Sequence, residues 1–238
     1  MHGNPHAHFE SGTDLNGGSM NAGAALWLGL PAAREYFDPS ALSVADHSRM
    51  AARGARRRAD YEVSRALLAF ADIGRAAHSL SHSAEHAALL VAPGGCRIGV
   101  DLEMNRPRDF LRLARFAFDA REVVALEAAP EAARPRLFYT LWTLKESVAK
   151  ALQLELVDAL RQCVFWEDDG EWRGRIPTPS AWGAAVFQPR PQLFLAATWA
   201  GGLGFAGLRQ WEWPPRQSAD WPVVARLGSA VGIEAAQP

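Results

Sequence analysis

The sequence has few cysteines, no long apolar run and almost no net charge, and each absence excludes a class of protein. Cys96 and Cys163 show neither a C-x-x-C spacing nor a histidine pair nearby, so we expect neither a zinc site nor a disulfide framework. No run of about 20 apolar residues is present, so we expect no transmembrane helix and no membrane partner. The net charge is −1, so no global basic field indicates a nucleic-acid partner.

The composition that remains is that of a globular protein with a core. Hydrophobic residues make up 49% of the 238 residues and charged residues 21%, which is ordinary for a soluble domain. Residues 1–20 are polar and lack the apolar centre of a signal peptide, so we interpret them as a flexible leader. Two free thiols suit a reducing compartment, and we expect a cytoplasmic protein.

Hydrophobic periodicity predicts both helices and strands. Strands are predicted at 24–30, 86–92 and 98–103, and after Cys163 at 164–166, 184–187, 193–200 and up to 213. Helices are predicted from Ser43 to Ala71 with an interruption near Gly54, at 110–116, at 120–128 behind Asp119, and from Pro135 to Leu152. The turn residues Pro93-Gly94-Gly95 predict that strands 86–92 and 98–103 pair as a hairpin.

Asp101 and Glu103 form the first candidate site. Residues two apart in a strand point to the same face, so the two carboxylates stand together while Val100 and Leu102 face the core. Two like charges this close repel each other unless a cation lies between them. Oxygen ligands of this kind favour Mg²⁺, Mn²⁺ or Ca²⁺. The alternative is a half-exposed strand with two solvated acids.

The predicted long helix carries a second group of functional side chains. Trp142, Glu146 and Lys150 follow one another at four-residue spacing and therefore share one side of the helix. Leucines and valine at 137, 141, 144, 148 and 152 form the core stripe. Glu146 and Lys150 are either functional or only a surface ion pair, and their spacing alone does not decide between these.

Hydroxyl and basic side chains suggest a phosphate site. Ser81-His82-Ser83 precede a strand, and in the predicted hairpin they lie at the same end as Asp101 and Glu103. An arginine-rich helix contributes further candidates, since guanidinium groups match phosphate oxygens. Its arginines are Arg49, Arg53, Arg56, Arg57, Arg58 and Arg65. The alternatives are an ordinary polar loop and a solvated basic helix face.

In this order, Ser81-His82-Ser83, Gly99-Val100-Asp101-Leu102-Glu103 and the segment from Trp142 to Lys150 resemble the 4′-phosphopantetheinyl transferase superfamily. The family signature is G-[IV]-D-[IL]-E followed some 40 residues later by W-x-x-K-E-[AS]-x-x-K, and both parts match in full. The similarity extends roughly from Asp46 to Phe165, and the two-domain length with a β-rich end resembles the Sfp-type branch.

The resemblance implies an α+β fold of two similar α/β subdomains arranged as a pseudo-dimer, each a small antiparallel sheet packed with a long helix. The expected units are a leader at 1–20, an N-terminal subdomain at 21–98, a C-terminal subdomain with the metal site at 99–213, and a tail at 214–238. The protein is expected to be a monomer.

The resemblance also implies an activity, that of a holo-[acyl-carrier-protein] synthase type phosphopantetheinyl transferase. Such an enzyme transfers the 4′-phosphopantetheine arm of coenzyme A to a serine of an apo acyl or peptidyl carrier protein and releases 3′,5′-ADP. Fatty-acid, polyketide and nonribosomal peptide biosynthesis all use this reaction. A non-catalytic carrier-binding homologue and a Mg²⁺-dependent phosphohydrolase are the two alternative functions.

The resemblance assigns roles to individual residues as well. Asp101, Glu103 and Glu146 are expected to hold Mg²⁺, with Mn²⁺ as a substitute. Coenzyme A is expected to contact Ser81, His82, Arg49, Arg53, Lys145 and Lys150, and the catalytic residues are expected to be Glu146, Lys150 and Glu122. Either Glu146 or Glu122 would accept the serine proton, directly or through water.

Two departures from the family pattern concern the adenine end of coenzyme A. Family members often carry Asn where Ser79 stands, and the usual G-K-P segment between the arginine-rich helix and Ser81 is absent. Only about a dozen residues, from Phe70 to Leu80, fill this interval, so the sequence does not indicate how the nucleotide is held.

Overall fold

The computed structural model describes residues 24–51, 54–200 and 203–228. In chain order its strands and helices are β1 (Ala24–Gly29), α1 (Val44–Ala51), α2 (Ala55–Ala71), β2 (Ala77–Ser83), β3 (His86–Ala92), β4 (Arg97–Met104), α3 (Phe110–Ala117), α4 (Ala120–Ala128), α5 (Arg134–Leu152), α6 (Leu156–Gln162), β5 (Val164–Asp168), β6 (Glu171–Arg175), β7 (Trp182–Arg190), β8 (Leu193–Ala200), β9 (Leu208–Trp213), β10 (Gln217–Ala219) and β11 (Val223–Leu227). The expectation of an α+β fold is confirmed.

Two sheets pack face to face between two long helices. The first sheet has the strand order β10-β9-β1-β3-β2, the second has the order β11-β7-β8-β4, and β5 and β6 form a separate hairpin. Residues of β1 and β3, such as Leu26 and Leu90, share one core with Val100 of β4 and Leu195 of β8. On the outer faces, α2 covers the first sheet and α5 covers the second.

The first sheet is mixed rather than antiparallel as expected. β9 runs parallel to β1, with Ala24 opposite Leu208, whereas the other neighbours in this sheet are antiparallel. The strand that ends at Trp213 thus returns to the sheet of the N-terminal strands. The subdomain boundaries and the pseudo-dimer relation stay predictions.

The predicted hairpin of β3 and β4 is wrong. β3 lies between β1 and β2, while β4 pairs with β8 in the other sheet, so Pro93-Gly94-Gly95 carries the chain from one sheet to the other. The hairpin is instead formed by β2 and β3. Its turn residues Ala84 and Glu85 have φ of 50° and 63°, the left-handed conformation that a two-residue hairpin turn of this kind requires.

Local signals define the ends of the helices well. The Ser43 hydroxyl accepts the amide of Asp46 at the start of α1, and Asp119 and Glu122 form a reciprocal capping box at the start of α4. Pro135 lies in the first turn of α5 as predicted. The short helix α6 was not among the predictions. Within the described residues, no helix combines the length and the apolar character needed to cross a bilayer.

An ion pair between β7 and β9 joins the two sheets. Arg190 of β7 donates through Nη1 and Nη2 to the two carboxylate oxygens of Glu212 on β9, at 2.8 and 2.9 Å. The indole of Trp221 donates to the same carboxylate at 2.9 Å. These donors keep the pKa of Glu212 below its ordinary value, the Arg190 hydrogen bonds contributing most.

Candidate functional site

The site lies where β4 meets α5, and a glycine allows this approach. A Cβ on Gly99 would collide with the Ser147 carbonyl oxygen of the helix. Ser147 also shares a 2.7 Å hydrogen bond with Thr198 of β8, which ties the helix to the sheet. Any side chain at position 99 would therefore push α5 away from the strand that carries the acids.

Three carboxylates converge at this contact. Oxygen atoms of Asp101 and Glu103 on β4 and of Glu146 on α5 all lie within 4.8 Å of one another. Asp101 is buried, whereas Glu103 and Glu146 are half-buried. The structure thus brings together the three residues that the sequence assigned to a metal.

The electrostatics of this cluster show a shortage of positive charge. Burial, reinforced by the negative charge of Asp101, raises the pKa of Glu146 to about 8, and Lys150 opposes the shift only in part. The pKa of Glu103 is raised for the same two reasons. Burial and like charge therefore disfavour the ionised forms of Glu146 and Glu103, and a nearby cation would favour them.

An unsatisfied oxygen shows where a cation fits. Asp101 Oδ2 is buried and has no hydrogen-bond partner among the described residues, which is costly for a carboxylate oxygen. Its neighbours in the cluster are further carboxylate oxygens, the ligands that Mg²⁺ and Mn²⁺ prefer. The residues present therefore fit a divalent metal ion.

Lys150 provides the positive charge nearest to the cluster. Its Nζ donates to Asp101 Oδ1 at 2.8 Å, to the Val100 carbonyl at 2.9 Å and to Ser81 Oγ at 3.0 Å. The side chain is one-third exposed, so it borders solvent while anchored to the site. It neutralises one oxygen of Asp101 and leaves the other free.

Ser81 and His82 lie on opposite faces of β2. The Ser81 hydroxyl is buried and donates to Asp101 Oδ1 at 2.9 Å. His82 turns toward α2, where its Nδ1 is 4.0 Å from Asp60 Oδ2. The prediction placed both beside the acids through a hairpin that does not exist. In the structure Ser81 contacts Asp101, and His82 does not, because neighbouring residues of β2 face opposite sides of the sheet.

Lys145 and Glu122 require a correction, because they form a buried ion pair on the opposite side of α5. Lys145 Nζ lies 2.8 Å from Glu122 Oε2 and donates to the carbonyls of Leu160 and Cys163, and both side chains are fully buried. Glu122 also accepts the amides of Phe165 and Asp119. With every polar atom occupied, neither residue can contact coenzyme A or a carrier serine, so their expected roles are wrong.

The arginines predicted for phosphate binding are described only in part. Arg49 lies on α1, but its side chain is outside the described residues, as is the whole of Arg53. Arg57 and Arg58 are exposed on α2. Their proposed contacts with phosphate stay predictions.

The contacts of Ser79 and Ser83 with β4 were not predicted from the sequence. Ser79 Oγ accepts the amide of Val100 at 3.0 Å, and Ser83 Oγ donates to Glu103 Oε2 at 3.2 Å. The alternation of serines at 79, 81 and 83 could have indicated these contacts, because residues two apart share one face of a strand. The sequence suggested Ser81-His82-Ser83 only as a phosphate-binding segment or an ordinary polar loop, and no strand was predicted at 77–83.

The fold and site together define an α+β protein with an acidic cluster suited to a divalent cation. The family model of the 4′-phosphopantetheinyl transferase superfamily matches residues 97–192, a span that includes all three acids and Lys150. This part of the chain is similar to that superfamily. Membership of the Sfp-type branch stays a prediction.

Curated relatives show the same similarity over shorter spans. The chain is similar to the 4′-phosphopantetheinyl transferase AcpT of Salmonella typhimurium, with 38% identity over 73 residues, 30% of this chain and 38% of that protein. It is also similar to the 4′-phosphopantetheinyl transferase HetI of Nostoc, with 38% identity over 74 residues, 31% of each chain. The matches span about a third of the length of these relatives.

Proposed function

We propose that the protein transfers the 4′-phosphopantetheine arm of coenzyme A to a serine of an apo acyl or peptidyl carrier protein, with Mg²⁺ or Mn²⁺ as cofactor. The serine oxygen forms a bond to the phosphorus that carries pantetheine. The bond from that phosphorus to the bridging oxygen breaks, 3′,5′-ADP leaves, and the serine proton passes to a base.

The observation that carries the proposal is the unsatisfied Asp101 Oδ2 inside the three-carboxylate cluster. Asp101, Glu103 and Glu146 would hold the metal, which when bound supplies charge neutralisation at the pyrophosphate. A cluster that served only as structure would have its buried oxygens satisfied, as those of Glu122 are.

Lys150 would stabilise the leaving group. Its ammonium is anchored at the border between Asp101 and solvent, within reach of a pyrophosphate bound over the cluster. Negative charge builds on the leaving phosphate during in-line displacement, and a fixed cation favours that charge. Ser81 would help by holding both Lys150 and Asp101 in place.

The buried ion pair of Glu122 favours Glu146 over Glu122 as the base. We propose that Glu146 accepts the serine proton, directly or through water. Its side chain is half-buried beside the acids of β4, which suits this role.

The cytoplasmic location and the monomeric state stay predictions. The interval from Phe70 to Leu80 comprises the end of α2, a short loop and the first half of β2.

The test is to incubate the protein with coenzyme A, Mg²⁺ and several apo carrier proteins and to weigh the carriers by mass spectrometry. We expect each accepted carrier to gain one phosphopantetheine, and Asp101→Asn to abolish the gain. A carrier that binds without gaining mass would favour the non-catalytic homologue. Release of phosphate or phosphopantetheine without a carrier would favour the phosphohydrolase. With an active transferase as positive control, an unchanged mass for all carriers would refute the proposal.

A further inference from the structure

Strands β2 and β4 face each other across the interface of the two sheets and contact each other through side chains. They belong to different sheets, and β4 is the last strand of its own. The amide groups on the open side of such an edge strand need partners from elsewhere. Serines on β2 supply them.

The serine contacts bracket the acids of the metal cluster. Ser79 Oγ accepts the amide of Val100 at 3.0 Å, and Ser83 Oγ accepts the amide of Met104 at 3.2 Å. These two amides flank the segment that carries Asp101 and Glu103. The backbone of that segment is therefore held at both ends by hydroxyl groups.

Ser83 makes one contact more than Ser79. While its oxygen accepts the Met104 amide, its proton is donated to Glu103 Oε2 at 3.2 Å. A glutamate side chain with several rotatable bonds is thereby fixed relative to its own strand. Glu103 is half-buried, so without this bond other rotamers would be available to it.

We propose that Ser83 is a positioning residue that orients Glu103 for metal binding. The inference rests on the metal site of the proposed function, but it does not depend on the transfer reaction. Ser83 acts on the metal only through the carboxylate, as residues that hydrogen-bond a metal ligand generally do. A role confined to holding β4 in place is the alternative, because the Met104 amide contact alone would serve it.

The experiment measures Mn²⁺ binding to the full chain by electron paramagnetic resonance, without coenzyme A or carrier. Ser83→Ala should weaken binding about 10-fold, the lower end of the range for partners of metal ligands. Ser83→Thr, which keeps the hydroxyl, should restore it. Ser64→Ala is the matched control, since Ser64 is also buried and its hydroxyl bonds only the Tyr61 carbonyl on α2.

A double-mutant cycle separates orientation from general support of the strand. In a Glu103→Gln background, Ser83→Ala should weaken Mn²⁺ binding further by less than 2-fold, because the carboxylate through which it acts is gone. An undiminished effect in that background, or unchanged binding in Ser83→Ala itself, would overturn the proposal. Weaker Mn²⁺ binding in a chain that transfers nothing would leave this inference standing while the proposed function failed.

Discussion

Two adjacent residues of α5, Lys145 and Glu146, belong to two polar clusters of opposite character. On one side of the helix, Lys145 and Glu122 are fully buried, and each of their polar atoms has a partner. On the other side, Glu146 lies among like charges, next to a buried oxygen of Asp101 that has no partner among the described residues. Of the two clusters, the second leaves a buried oxygen that a cation could coordinate.

The comparison shows how a buried charge that serves the fold differs from one prepared for a ligand. Burial raises the pKa of Glu122 and lowers that of Lys145, but their mutual attraction and hydrogen bonds oppose both shifts. For Glu146 the attraction of Lys150 opposes the effect of burial only in part, and its pKa rises to about 8. A buried acid whose charge is compensated only in part is a candidate functional group.

The largest effect is expected from breaking the satisfied pair. Lys145→Met leaves the Glu122 carboxylate buried without its cation and should lower the free energy of unfolding by about 3–5 kcal/mol. The double variant Lys145→Met with Glu122→Gln should recover most of that loss, since no charge remains. Urea unfolding followed by circular dichroism measures the stability of both variants. A Lys145→Met variant as stable as the parent chain would contradict our account of the pair.

Substitutions in the metal cluster should instead lower the activity while leaving the fold intact. Asp101→Ala and Asp101→Asn should lower the rate of transfer at least about 100-fold, because metal-ion catalysis contributes several kcal/mol and each 1.4 kcal/mol is a factor of ten. The fold should persist, since the change removes a repelling charge and no core packing. Initial rates and thermal unfolding, measured on one preparation, check this; activity retained in Asp101→Ala would refute the metal assignment.

The smallest effect is a pH-dependent gain in stability on adding metal. Glu146 and Glu103 have folded-state pKa values above their unfolded values, so the folded state binds more protons and stability falls as the pH rises from about 5 to about 8. Mg²⁺ at a fixed concentration, ten times its Kd at pH 8.5, should restore about 1.4 kcal/mol at that pH, and less at pH 6, where the protonated acids bind the ion more weakly. Glu146→Gln should reduce this pH difference; differential scanning fluorimetry measures the melting temperatures.

Local patterns predicted much of the secondary structure. Helix α5 and strands β3 and β8 have strong apolar periodicity, and capping residues marked the ends of α1 and α4. Strand β2 was missed because its alternating serines and histidines hide the hydrophobic signal, and because its turn at Ala84-Glu85 lacks the usual glycine or asparagine. The pairing of β9 with β1 depends on contacts distant in sequence, which no local pattern encodes.

The same dependence on contacts distant in sequence explains why the site was predicted only in part. Asp101 and Glu103 share a face of one strand, and Glu146 and Lys150 share a side of one helix, so spacing alone grouped them correctly within each element. Lys145 was assigned to the substrate because it lies in the signature segment. Its position, four residues after Leu141 and three before Val148, places it in the buried stripe of the helix, and that pattern could have excluded it.

The parallel pairing of β9 with β1 has a consequence for biosynthesis. Strand β1 leaves the ribosome long before β9, because Ala24 and its partner Leu208 lie far apart in the sequence. Until β9 has emerged one edge of β1 is open, and pairing across such a sequence distance is slow. The nascent chain is therefore exposed to aggregation through this edge during synthesis.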